Sequence, residues 1–241
     1  MNYAIIAAGE GSRLVQEGVP VPKPLVDIDG RPMIRRLIDI FMANNAQHIS
    51  VIVNEQMTAV RQYIENLKAQ TDVPLTLVVK STPSSMHSFY EVSRTFGENT
   101  DADNDGHFIL TTVDTIFRPE DFARYVKAFA SAPDDIDGCM AVTTYIDDEK
   151  PLYVDVNADG IITAFRDDAW DGVKYISGGI YGLRPQAVDI LRRCIDDGVS
   201  RMRNYQRALV AAGQRLRAFD MGKILDVDHA GDIDKARQFL R

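Results

Sequence analysis

The sequence predicts an α/β fold, a three-layer α-β-α arrangement on a mainly parallel twisted sheet with a small antiparallel section in its second half. Three observations carry this. Apolar, β-branched runs alternate with segments of helical period through residues 1–144, as in successive β-α-β units. After residue 145, strand-like segments follow one another around a hairpin signal, Asn157-Ala158-Asp159-Gly160. The chain's 241 residues, 45% hydrophobic and 26% charged, suffice for a sizeable core in an ordinary globular protein. Neither a repeat nor a low-complexity linker divides it, so residues 1–241 read as a single domain with halves at 1–144 and 145–241.

The first strand is the apolar run Ala4 to Ala8, ended by Gly9-Glu10-Gly11. Pro32 opens a helix whose apolar face is Met33, Ile34, Leu37, Ile38, Ile40 and Phe41. His48 to Val53 is β-branched and strand-like, Met57 to Leu67 helical, and Leu75 to Val79 a third strand. A polar turn (Ser81 to Ser85) leads into a helix ending near Phe96. His107 to Thr112 is the fourth strand, Pro119 to Phe129 a helix with proline in its first turn, and Gly138 to Thr144 the fifth strand. Leu152 to Val156, Ile161 to Phe165 and Tyr175 to Leu183 form the antiparallel section, read as an insertion walling a cleft. Helices at about 185–196 and 200–212, a strand at Leu216 to Asp220 and a helix from Asp232, after Gly231, close the chain.

Residues 4–24, AIIAAGEGSRLVQEGVPVPKP, concentrate the chemistry. Gly9 and Gly11 let the backbone turn tightly and expose N–H groups, and Arg13 and Lys23 add two cations to the same loop. Backbone donors plus two cations make a cradle for a polyphosphate. Two familiar phosphate loops do not fit. Leu14 occupies the third glycine position of G-x-G-x-x-G, and Gly18-Val19-Pro20-Val21-Pro22 leaves no prompt helix; the Walker Gly-Lys-Ser/Thr is missing from the chain. The remaining pattern, A-A-G-x-G-S-R-L…P-K-P-L, resembles the signature of the nucleotidyltransferases with a GT-A-like Rossmann fold. That family includes the sugar-phosphate nucleotidylyltransferases and the bacterial choline-phosphate cytidylyltransferases. The resemblance implies a nucleoside triphosphate held by Ala7, Ala8, Gly9, Gly11, Ser12, Arg13 and Lys23, with Arg13 and Lys23 catalytic. On this reading 1–144 is the nucleotide-binding half and 145–241 the acceptor-binding half.

Phosphate chemistry on a nucleotide generally needs Mg²⁺, which takes hard carboxylate oxygens and keeps several waters. Asp114 follows the fourth strand, at the strand-end edge where α/β sheets bind ligands. Taken alone it reads more readily as an aspartate serving a loop. The family resemblance implies instead a metal ligand, with Val113 where glycine is usual. Asp226-Val227-Asp228-His229 resembles the family's D-x-D-T, which makes Asp228 the second ligand; Asp226, one strand period away, is a weaker candidate, and His229 has no assigned role. Asp101-x-Asp103-x-Asp105-Gly106 and Asp155-x-Asn157-x-Asp159-Gly160 open like calcium loops. Their twelfth positions are Thr112 and Arg166 rather than glutamate, so both are turns.

In the run Ser81-Thr82-Pro83-Ser84-Ser85-Met86-His87-Ser88, at least one hydroxyl is expected to cap the following helix. The resemblance places the base and ribose there, on Ser85 and Ser88, and leans the nucleotide toward CTP. Tyr175-Ile176-Ser177-Gly178-Gly179-Ile180-Tyr181 puts two glycines in a strand, which marks a close approach. By resemblance to the family's G-G-I-Y strand, Gly178 and Gly179 face a phosphorylated small-molecule acceptor, with Lys174, Arg166 or Lys223 as candidate contacts for its phosphate. The family's upstream Glu-Lys-Pro is replaced by Phe165-Arg166-Asp167-Asp168, which argues against an ordinary sugar 1-phosphate.

The expectation is therefore a Mg²⁺-dependent nucleotidyltransferase acting on a sugar, polyol or choline phosphate. The alternatives are a GT-A-type glycosyltransferase, which would usually carry D-x-D where this chain has only Asp114, and a non-catalytic nucleotide sensor. A net charge of −8 argues against nucleic-acid partners. Cys139 and Cys194 read as free thiols, and the chain has neither a basic leader nor an apolar run near the ~20 residues of a membrane span. The expected location is the cytoplasm.

Overall fold

The computed structural model describes residues 1–96, 106–147 and 149–241. The sheet is built outward from β1 (Asn2–Ile6), which is buried at every position. β4 (His48–Val53) and β6 (Phe108–Thr112) flank it, both parallel, so Ala4 sits opposite Ser50 on one side and Leu110 on the other. β5 (Leu75–Val79) extends the parallel run beyond β4. On the far side β11 (Tyr175–Leu183) runs antiparallel to β6 and to β8 (Gly138–Thr143), and β12 (Leu216–Asp220) lies parallel to β8. The hairpin of β9 (Tyr153–Val156) and β10 (Ile162–Arg166) joins through Tyr175 and Ile176 of β11. The antiparallel segment is thus no appended insertion: β11 is an internal strand of a sheet of nine strands among the described residues.

Both faces are covered because side chains alternate along β1. Tyr3 and Ile5 point into a core shared with α2 (Met33–Ala43), α3 (Thr58–Lys68) and α5 (Pro119–Ala130), where Tyr3 stacks on Phe41 at 4.4 Å. Ala4 and Ile6 point the other way, onto α4 (Ser85–Ser93), α6 (Gln186–Asp196) and α7 (Met202–Ala211). The result is the expected three-layer α-β-α arrangement.

Several local expectations need correction. A one-turn helix, α1 (Ser12–Gln16), does follow the glycine loop; it ends before Gly18, so the Gly/Pro segment limits its length without preventing its start. The last helix, α8 (Ala230–Leu240), begins two residues before Asp232, which instead completes a capping box with His229. Two short ladders, β2–β3 (Asp27–Ile28 and Arg31–Pro32) and β7–β13 (Thr115–Ile116 and Leu225–Asp226), have too few residues to show a period. At the second calcium-loop look-alike, Asn157 Oδ1 accepts the N–H groups of Asp159 and Ile161, each at 3.0 Å, so that segment is a turn. The first look-alike lies outside the described residues up to Gly106.

Cys139 on β8 and Cys194 on α6 are both buried and unbonded to each other. Burial pushes the Cys139 thiol up to about 12 and raises that of Cys194. Both should therefore resist a thiol-specific chromogenic disulfide reagent at neutral pH in the native protein and react once denaturant is added. Fast release from the native protein would contradict the burial. Among the described residues no helix is long and apolar enough to cross a membrane.

Candidate active site

Because β4 lies on one side of β1 and β6 on the other, the chain leaves the carboxyl end of β1 at the sheet's switch point, where a crevice opens. A cleft of about 500 Å³ occupies that place, lined by residues 8–13 from the first loop, 82–85 and Ser88 at the start of α4, Thr112 to Asp114 at the end of β6, Lys23 and Asp228. Gly11 has φ +62°, and a Cβ there would stand 2.9 Å from the Lys23 Cβ, so this glycine is required both by its backbone and by the packing of Lys23. Gly9 needs no such freedom: a Cβ there would meet nothing.

Lys23 opens a 3₁₀ turn (Lys23–Leu25) after Pro22 and is only 9% exposed. Its Nζ stands 2.5 Å from Asp114 Oδ2 and 2.6 Å from Asp228 Oδ1. Burial pulls the Lys23 ammonium down, but the charges of Asp114 and Asp228 outweigh it and hold the group at about 12. Burial likewise pushes the Asp114 carboxyl up, and the Lys23 charge and hydrogen bond, with Thr112, overcome this and keep it below the usual carboxylate range. Arg13, on α1, reaches Asp228 Oδ2 at 3.4 Å and Glu149 Oε2 at 3.6 Å.

The chain brings Asp228 to this point through backbone pairing. β7, immediately after Asp114, pairs antiparallel with β13, with Thr115 opposite Asp226, and the Val227 N–H donates to the Asp114 carbonyl at 3.1 Å. A residue more than 200 positions from Lys23 is thereby set beside the end of β6. Beyond it, His229 Nδ1 donates to Glu17 Oε1 at 2.6 Å; that hydrogen bond raises the imidazole's pKa and lowers the carboxyl's.

A second cleft of about 250 Å³ adjoins the first and shares Arg13 and Asp228 with it. Gly178, Ser177, Thr143, Tyr145, Asp226 and Lys235 contribute to its walls. Asp226 lines the second cleft, as Asp228 does, and does not line the first.

Of the residues singled out from sequence, Ala8, Gly9, Gly11, Ser12, Arg13, Lys23, Ser85, Ser88, Asp114 and Asp228 line the first cleft, and Gly178 lines the second. Five do not line either. Ala7 is buried in the core, its N–H held by the Ile52 carbonyl at 2.9 Å. Lys174 lies over the Tyr175 ring at 4.6 Å. Gly179 serves the backbone: it has φ +71°, lies within the register shift between Ser177 and Tyr181, and a Cβ there would stand 3.0 Å from Thr115 Oγ1. Gly179→Ala should therefore cost about 1–2 kcal/mol, read as a lower denaturation midpoint at unchanged slope. An unchanged midpoint would refute this role. Arg166 pairs with Asp155 at 3.0 Å, and Lys223 lies over Tyr145 at 4.3 Å.

The serine turn departs from its expected capping role. Ser84 is the N-cap of α4 but makes no side-chain cap bond; its Oγ meets His87 Nδ1 at 2.9 Å, and Thr82 Oγ1 meets Ser88 Oγ at 2.6 Å. Sequence reasoning missed Glu10, Glu17, Tyr145, Glu149 and Lys235. Each is an ordinary surface residue type with no motif spacing, so only the fold assembles them.

Among the described residues no three acidic, histidine or cysteine side chains gather as a metal cage. Mg²⁺, however, needs only one or two protein carboxylates when waters and substrate phosphates complete its shell. Asp114 and Asp228 fit: both direct oxygens at a single cation, the Lys23 ammonium, beside a cleft wide enough for phosphates.

A family model described as MobA-like NTP transferase domain matches residues 3–168. The mannose-1-phosphate guanyltransferase of Eremothecium gossypii is 24% identical over 196 residues, 79% of this chain and 52% of that protein. The CMP-5'-(3-aminopropyl)phosphonate synthase of Streptomyces rubellomurinus is 27% identical over 168 residues, 70% of this chain and 25% of that protein. The chain thus spans about half the length, or less, of these curated relatives. The solved inositol-1-phosphate CTP transferase of T. maritima superposes with a TM-score of 0.77 at 20% identity, covering 100% of this chain and 97% of that one. A Bacillus anthracis protein described as a glucose-1-phosphate thymidylyltransferase gives 0.83 at 17%, covering 100% and 95%. At these identities the two structures speak to the fold.

Proposed function

The chain belongs to the family of MobA-like NTP transferase domains, and from that premise we propose that it is a nucleotidyltransferase. It would move a nucleoside monophosphate group from a nucleoside triphosphate, CTP being the first to test, onto a phosphate or phosphonate oxygen of a small acceptor. The observation that carries this reading is Lys23 Nζ between Asp114 and Asp228 at the mouth of the cleft that the glycine loop forms. Curated relatives named for a sugar phosphate and for an aminopropylphosphonate support the acceptor class.

An acceptor oxygen attacks the α-phosphorus in line; the new P–O bond forms as the bond to the β-phosphate oxygen breaks, and pyrophosphate leaves. The acceptor is already an anion, so no side chain has to remove a proton. The work left to the protein is positioning and charge stabilisation. The first cleft takes the triphosphate against residues 8–13, and the second takes the acceptor against Gly178 and Ser177. Arg13, which lines both, is placed to hold the two reactants together. Lys23 is the buried cation that faces charge building up on the departing phosphates. Asp114 and Asp228 would hold Mg²⁺, whose charge offsets that of the triphosphate and the pyrophosphate.

The test is pyrophosphate release with each of the four common triphosphates against phosphorylated sugars, polyols and amines and against aminoalkylphosphonates. Release that requires both an acceptor and a divalent cation is expected with one triphosphate. Triphosphate binding with no release across the whole panel would replace this reading with a sensor.

A further inference from the structure

Glu17 belongs to neither cleft lining. It follows α1, with its N–H bonded to the Arg13 carbonyl at 3.0 Å, and so moves as part of the turn that carries Ser12 and Arg13. Its carboxylate spans the gap to a segment more than two hundred residues away. Oε1 accepts from His229 Nδ1 and Oε2 from the Ala230 N–H, each at 2.6 Å. Those two donors come directly after Asp228. The other side of the same turn is held by Asp232 Oδ2, which accepts the N–H groups of Asp228 at 3.2 Å and His229 at 2.9 Å. His229 donates from Nδ1 to this carboxylate, and the ring's other nitrogen lies 3.5 Å from Glu149 Oε1.

We propose that Glu17 is a positioning residue that ties the phosphate loop to the Asp228 segment and sets Asp228 at its working distance from Lys23 and Asp114. The inference rests on the nucleotidyl-transfer reading. Asp114 sits at the end of a buried central strand and has little freedom, whereas Asp228 follows a two-residue ladder and its side chain is 45% exposed. The second carboxylate is therefore the one whose location needs support, and Glu17 supplies it from behind the site. Residues outside the ligand shell that orient a metal ligand typically change metal affinity or activity about 10–100-fold when removed. An exposed ion pair contributes little to global stability, so positioning and mere stabilisation predict different readouts.

The full chain is titrated with Mn²⁺ by electron paramagnetic resonance, alone and with each of the four common triphosphates at saturation, for wild type, Glu17→Ala, Glu17→Gln and Arg237→Ala. Arg237 ties the same α8 to the Asp27 carbonyl at 3.0 Å and serves as the control for a loosened helix. Glu17→Ala should weaken Mn²⁺ binding about 10–100-fold, with kcat falling more than KM, while Arg237→Ala binds Mn²⁺ as wild type does. Glu17→Gln keeps an accepting oxygen without the charge and should fall between the two; it also decides the matter should Glu17→Ala not fold. Wild-type Mn²⁺ affinity in the Glu17 variants, or equal loss in Arg237→Ala, overturns the positioning role alone. If wild type itself binds no Mn²⁺ with any triphosphate, the nucleotidyl-transfer reading fails as well.

Discussion

Lys23→Met is expected to lower kcat about 10²–10³-fold, or about 2.7–4 kcal/mol, the cost of removing one preorganised charge-stabilising donor from a reaction centre. Methionine keeps the apolar stem of the side chain and ends one atom short of the ammonium, so the packing against Gly11 survives and the lost quantity is the ammonium. The variant should also show a second effect of a different kind. In the metal-free protein Lys23 is the cation between Asp114 and Asp228, and its removal leaves two carboxylates facing one another. Breaking a fully buried pair typically costs about 3–5 kcal/mol; with Asp228 nearly half exposed the loss should be smaller. A divalent cation entering the vacated point binds only the folded state and should restore the midpoint. Thermal unfolding of both proteins with and without millimolar Mg²⁺, alongside steady-state pyrophosphate release, checks both parts. Near-normal turnover in Lys23→Met would remove the ammonium from the chemistry. A destabilised variant that Mg²⁺ does not rescue would mean that Asp114 and Asp228 do not hold a divalent cation between them.

The legibility of the strands followed their length and the turn signals around them. His48–Val53, Leu75–Val79, Tyr175–Leu183 and Leu216–Asp220 were readable from end to end as short segments between such signals, although Leu75–Val79 and Leu216–Asp220 are each fully buried at one position only. The place of β11 was not readable. Its pairing with β6 depends on partners far away in the chain, and its composition is equally suited to a separate hairpin. The five-residue helix α1 was hidden because one turn carries no period, and its apolar content is Leu14 and Val15. The site divided along similar lines. Gly11, Arg13 and Lys23 keep motif spacing after β1 and Asp114 follows the end of β6, and they line one cleft. Asp228 was legible only through its motif, since no spacing rule relates it to Lys23. Ala7 shows the opposite error: it belongs to the motif, yet it sits in the core because β1 alternation turns it inward with Tyr3 and Ile5.

Asp114→Asn separates charge from shape at the same centre and is expected to reduce turnover by at least about 10²-fold, given the several kcal/mol of charge stabilisation that a catalytic metal supplies. Asparagine is nearly isosteric and its Oδ1 can still accept from Lys23, so the end of β6 and the bond from the Val227 N–H to the residue 114 carbonyl stay in place. The variant also carries an acid signature in the metal-free protein, best read in the presence of a chelator. The Asp114 carboxyl lies below its ordinary value in the folded state, because the Lys23 ammonium outweighs the effect of burial. A depressed folded pKa contributes stability that is complete above the unfolded value of about 3.9. That contribution fades as pH falls from there through the lower folded value. Wild type should lose stability over this window, and Asp114→Asn should lose less, since an amide has no proton to bind. Denaturant midpoints measured from pH 6 down to about 3 give the comparison. Parallel curves for the two proteins would mean that the Lys23 ammonium does not hold the Asp114 carboxylate in its charged form, and the arrangement of one cation between two acids would not describe the protein in solution.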